Sequence, residues 1–167
     1  MILYFYILSL CESNCISSTR LMYLIYLLGK MENLYKFKYK VTARGINCGE
    51  LDTLINEVIN SGYATQSNKG FVVTAKGEQF LYDFQESYDV FERFNSFENF
   101  MSRISTDNLR LIVVSDIILE DLKGKDFNSL LDRDKVESIV SRLTVNFTSK
   151  DFDVAVGILR RLKEGSL

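Results

Sequence analysis

The densest run of chemically active side chains lies between residues 30 and 44, where Lys30, Lys36, Lys38, Lys40 and Arg44 face the single carboxylate of Glu32. Cations gathered this way suit phosphate, because every neutralised phosphate releases condensed counterions. A lysine face on an edge strand, which discourages strand-to-strand aggregation, is the plainer reading of residues 36–40, and the two stay open. Paired carboxylates at Asp132/Asp134 and Asp151/Asp153 could do acid–base work, yet each pair falls near an expected helix start, where acidic side chains complement the helix dipole. Histidine is absent, and Cys11, Cys15 and Cys48 follow no metal-ligand spacing. The three read as reduced thiols packed as small hydrophobes. With no Gly-rich phosphate loop and no serine nucleophile elbow, the sequence points away from an enzyme and calls for no metal and no cofactor.

Something must hold those residues in place, and 167 residues of which 47% are hydrophobic and 13% aromatic are enough for one packed core. The formal net charge of −2 is unevenly spread. Residues 1–82 carry eight Lys and Arg against six Asp and Glu, whereas residues 83–167 carry twelve against sixteen. Met1 to Leu10 is almost wholly apolar but lacks a basic leader, so a secretory signal is rejected. The second apolar run, Leu21 to Leu28, is far shorter than the ~20 residues a membrane-spanning helix needs. A cytoplasmic protein without a membrane span is expected.

Periodicity supplies the elements. Residues 2–12 read as a short apolar helix. Ser17 or Ser18 caps a second helix in which Leu21, Leu24, Ile25 and Leu28 share a face, and Gly29 suits its C-terminal turn. Tyr35, Phe37, Tyr39 and Val41 alternate with Lys36, Lys38 and Lys40, the period of a strand or extended arm. After a loop over Thr42 to Gly49, with Asn47 as cap, a third helix carries Leu51, Leu54, Ile55, Val58 and Ile59 on one stripe and stops at Ser61-Gly62. Two short strands around a QSNKG bend form a hairpin, and Thr74-x-x-Gly77 opens the next helix. From Ala75 to about Arg103 the chain is helical, with Phe80, Phe84, Tyr88, Phe91 and Phe94 on one face and a break at Asn95-Ser96. Three more helices are expected: one capped by Thr106 or Asp107, one near Leu130 to Leu143, and one from Ser149 or Asp151 through Arg161.

This order of elements predicts a mainly α fold with a small β-hairpin: a winged helix-turn-helix over residues 1–82 and a helical extension over 83–167 packed on it. On the stretches TRLMYLIYLLGKM, YKFKYKVTARGINCGELDTLINEVINSGY and GFVVTAKGEQFL, and more weakly on DNLRLIVVSDIILEDL and LTVNFTSKDFDVAVGILRRL, the chain resembles the YwgA-type proteins and the related Panacea-like winged-helix domains. The loop Ala43 to Gly49 departs from that family's Gly-Pro-Tyr-Ser-like pattern. The resemblance implies DNA binding or neutralisation of a protein partner in a defence-type system.

The expected partner is therefore duplex DNA, with the third helix in the major groove and the wing on flanking phosphates. Thr53, Asn56 and Asn60 are the candidates for base edges, and Lys36, Lys38, Lys40, Arg44 and Lys69 for phosphates. Glu50, Asp52 and Glu57 on the same helix would repel phosphate, which keeps a protein-interaction module open as the alternative. A homodimer through a helix flanking the wing is expected, although the aromatic stripe also suits a core.

Overall fold

The computed structural model describes residues 1–12, 15–32, 37–42, 45–84, 88–123 and 149–164. It is mainly helical, with two separate two-stranded antiparallel sheets. Helix α1 (Ile2–Glu12) is buried continuously from Phe5 to Cys11, and α2 (Ser18–Glu32) from Leu21 to Gly29. Helices apolar around their whole circumference belong at the centre of a fold. The remaining elements pack around these two.

Strands β1 (Lys40–Thr42) and β2 (Gly45–Asn47) precede helix α3 (Gly49–Asn60). Strands β3 (Ala64–Ser67) and β4 (Gly70–Val73) follow it, in the register Ala64↔Val73, Thr65↔Val72, Gln66↔Phe71 and Ser67↔Gly70. Helices α4 (Ala75–Phe84), α5 (Tyr88–Met101), α6 (Thr106–Lys123) and α7 (Ser149–Glu164) complete the described chain. Helix α1 lies against α4 and β4, while α2 lies against α6, α7 and β2. One hydrophobic cluster runs through all of these, from Phe5 and Leu8 to Val113 and Leu159. Each fully buried Leu or Phe contributes roughly 1.5–3 kcal/mol. None of the helices among the described residues is long and apolar enough to cross a membrane.

Between α1 and α2 the chain makes an isolated antiparallel bridge from Ile16 to Phe71 of β4, with Ile16 N–H donating to Phe71 O at 3.4 Å and Phe71 N–H to Ile16 O at 2.9 Å. Gly70, at φ +142°, makes this approach possible, since a Cβ there would collide with the Ile16 carbonyl. A second close approach seats α4. Thr74 Oγ1 accepts the Gly77 amide at 3.2 Å as N-cap, and its hydroxyl is shared between Gly62 O at 2.6 Å and Tyr63 O at 3.1 Å. A Cβ on Gly77 would strike the Tyr63 carbonyl and sit 2.6 Å from Val73 Cγ1. The Thr-x-x-Gly signature thus has a physical reason at both ends.

Several local expectations change. Within the loop expected over Thr42 to Gly49, Gly45–Asn47 is a strand that pairs antiparallel with Lys40–Thr42, in the register Lys40↔Asn47, Val41↔Ile46 and Thr42↔Gly45. Of the described residues of the alternating stretch, 37–41, only Lys40 and Val41 lie in a strand; residues 37–39 are irregular, with Phe37 and Tyr39 packed edge-on with each other and Tyr39 with Tyr26. Cys48, and not Asn47, caps α3, its sulfur accepting the Leu51 amide at 3.4 Å. Ser105, and not Thr106 or Asp107, caps α6 through the Asn108 amide at 3.2 Å. Helix α2 runs on to Glu32, with Gly29 buried in its last turn as expected. Asn95 and Ser96 lie within α5, held there by buried Phe94 and Phe97 on either side. The helix expected near 130–143 lies outside the described residues.

Candidate nucleic-acid interface

Helix α3 buries Leu51, Ile55 and Val58 and turns Thr53, Asn56 and Asn60 to solvent on one face. The stripe predicted from the sequence also named Leu54 and Ile59, which are half-buried. Thr53 is exposed and donates its hydroxyl to Gly49 O within the helix at 2.9 Å. Asn56 and Asn60 present exposed carboxamides. These three side chains share the surface that a base-reading helix requires.

Two of the three acidic residues on this helix hold the local structure together. Glu50 Oε2 accepts the Lys38 backbone amide at 2.9 Å, fastening the irregular segment to the first turn of α3. Glu57 Oε2 accepts the Tyr4 hydroxyl at 3.2 Å, joining α3 to α1. Asp52 is half-buried in the first turn, where it complements the helix dipole. The hydrogen bond and charge of Glu57, added to burial as the largest cause, push the Tyr4 hydroxyl above its ordinary range.

Of the basic candidates, Lys38 and Lys40 are exposed beside the N-terminus of α3, and Lys69 is exposed in the β3–β4 turn. Lys36 and Arg44 lie outside the described residues. The turn is braced by Ser67, whose hydroxyl donates to Gly70 O at 3.0 Å and accepts the Lys69 amide at 3.2 Å. One cation escaped the sequence reading. Lys76, from α4, donates to Ser61 O at 2.8 Å at the C-terminal end of α3 and lies 4.7 Å over the Tyr63 ring. Nothing in its local spacing marks it, because the hairpin brings it there.

Elsewhere the described chemistry is structural. Phe84 stacks on Phe5 at 4.9 Å, Phe94 on Tyr6 at 5.8 Å, and Phe80 on Phe84 at 5.9 Å. These members of the aromatic stripe are core, which withdraws them as a dimer surface; the side chains of Tyr88 and Phe91 lie outside the described residues. Cys11 and Cys48 are buried and Cys15 is exposed, all three as free thiols. Burial, then the neighbouring Cys15, pushes the Cys11 thiol up to about 12. Asp132 and Asp134 fall outside the described residues, as does the side chain of Asp151, and Asp153 is exposed. Among the described residues no three Cys, Asp or Glu side chains stand together as a metal site. No protein-family model and no curated protein matches the chain.

Proposed function

We propose that the chain is a cytoplasmic winged-helix protein, akin to the YwgA-type and Panacea-like proteins, that binds duplex DNA without catalysis. Helix α3 enters the major groove with Thr53, Asn56 and Asn60 toward base edges, and the β3–β4 hairpin is the wing, with Lys69 meeting a phosphate. Lys38 and Lys40 supply positioning charge next to the helix N-terminus. The observation that carries this reading is the bridge between Ile16 and Phe71. It ties the segment between α1 and α2 to the hairpin after α3, giving helix, bridge, helix, the β1–β2 strand pair, helix and hairpin, which supports a winged-helix order with one strand pair added before α3. The carboxylates of Glu50 and Glu57 favour a second reading, in which the same face docks a basic protein partner.

Fluorescence anisotropy on a labelled duplex distinguishes the two. About four phosphate contacts make affinity fall roughly 10²-fold between 50 and 200 mM salt. Binding that ignores salt, or no binding at low salt, contradicts the DNA reading.

A further inference from the structure

A cleft of about 670 Å³ opens between the wing turn and the α5–α6 junction, on a different part of the surface from the exposed face of α3. Its volume lies in the range of small-molecule sites. Leu10, Ile16, Leu24 and Met101 line it with apolar surface, and Arg20, Lys69 and Arg103 bring three cations to it against the single carboxylate of Glu98 among the described lining residues. Arg20 is half-buried and fixed in place: it donates to Met101 O at 2.9 Å, Ile104 O at 2.8 Å and Thr106 Oγ1 at 3.3 Å. Burial lowers its pKa from the ordinary guanidinium value, which leaves it charged at any physiological pH. The N-caps Ser17 and Ser105 also line the cleft, so the positive ends of α2 and α6 add to the same field.

We propose that this cleft binds a small organic phosphate, with the apolar part of the ligand on the Leu10, Ile16, Leu24 and Met101 surface and the phosphate among Arg20, Lys69 and Arg103. A fixed, half-buried guanidinium backed by two exposed cations suits a phosphate dianion, and an apolar lining suits a carbon skeleton attached to it. The proposal shares Lys69 with the DNA reading but requires neither Thr53, Asn56, Asn60 nor a duplex, and Arg20 and Arg103 belong to the cleft alone.

Cys15 reports on occupancy. It lines the cleft and is the one exposed thiol of the three in the chain, with its sulfur 3.8 Å from Ser67 Oγ. Iodoacetamide alkylation of the full chain is followed by intact mass in the presence of phenyl phosphate, inorganic phosphate, phenol or a short DNA duplex. Phenyl phosphate should slow alkylation saturably, inorganic phosphate only at higher concentration, and phenol not at all. Arg103→Ala and Lys69→Ala should each raise the protecting concentration about three- to tenfold, with far-UV circular dichroism unchanged, and Arg103→Ala should leave duplex affinity unaltered. The proposal is overturned if phenyl phosphate gives no protection, if phenol protects equally, or if Arg103→Ala does not move the midpoint. It is also overturned if only the duplex protects, which would assign the cleft to DNA backbone.

Discussion

Replacing Gly77 with alanine tests the seam that joins the hairpin to α4, and it has an internal control elsewhere in the chain. In a helix interior, alanine is favoured over glycine by about 1 kcal/mol. Gly157, exposed within α7 with nothing within 4 Å of an added Cβ, should show that gain, so Gly157→Ala stabilises by up to about 1 kcal/mol. At Gly77 the same methyl strikes the Tyr63 carbonyl and stands 2.6 Å from Val73 Cγ1. The carbonyl is backbone and is already engaged by Thr74 N–H at 3.0 Å and Thr74 Oγ1 at 3.1 Å, so it cannot swing aside cheaply. Overpacking costs about 1–3 kcal/mol, and against an unyielding backbone atom the upper part of that range applies, about 2–3 kcal/mol against a propensity gain of about 1 kcal/mol. Gly77→Ala should therefore destabilise by about 1–2 kcal/mol, or lower Tm by about 2–8 °C in a chain of this size. Urea unfolding followed by far-UV circular dichroism measures both variants at pH 7. A Gly77→Ala protein as stable as the wild type, alongside a stabilised Gly157→Ala, would refute the close seating of α4 against the β3–β4 hairpin.

Other consequences follow from buried polar groups. Asp116 is buried between α2 and α6, accepting the Tyr26 hydroxyl at 2.8 Å and pairing with Lys30 at 3.1 Å, while Lys30 also pairs with Glu120. Asp116→Ala should cost about 3 kcal/mol in a urea titration, and a loss under 1 kcal/mol would contradict that role. Arg20→Leu should cost about 2 kcal/mol by releasing the carbonyls of Met101, at the end of α5, and of Ile104, in the α5–α6 junction, read as a lower thermal midpoint; an unchanged midpoint would remove Arg20 from that role. Stability should also fall at alkaline pH. Burial and then Asp116 raise Tyr26; burial pulls Lys30 down, but Glu120 and Asp116 more than offset it and leave it raised; and burial lifts Cys11 to about 12. All three hold their protons more tightly folded than unfolded, so their contribution is whole below about pH 8 and fades as pH climbs toward 12. Urea midpoints that stay level from pH 8 to 11 would contradict this.

The parts of the fold that follow local rules are legible in the sequence. Leu51, Ile55 and Val58 announce α3 by their spacing, and Ser61-Gly62 announces its end, with Gly62 at φ +75°. The β3–β4 hairpin follows from its Gly-containing bend. What is missed depends on tertiary partners. The β1–β2 hairpin has three-residue strands, too short for a period to register, and Cys48 is a cap that residue preferences do not favour. Of the candidate site, Thr53, Asn56 and Asn60 could be read from one helix. The roles of Glu50 and Glu57 could not, since their partners Lys38 and Tyr4 reach them from other elements. The cleft of Arg20, Lys69 and Arg103 was invisible for the same reason: three residues from three parts of the chain meet only after folding.

The most direct test of the proposed DNA reading is nuclear magnetic resonance titration of the labelled chain with a short duplex at low salt. Amide shifts concentrated on α3 around Thr53, Asn56 and Asn60 and on the Lys69 turn, reversed by added salt, are the predicted result. Shifts confined to α6 and α7, or none at all, would contradict it.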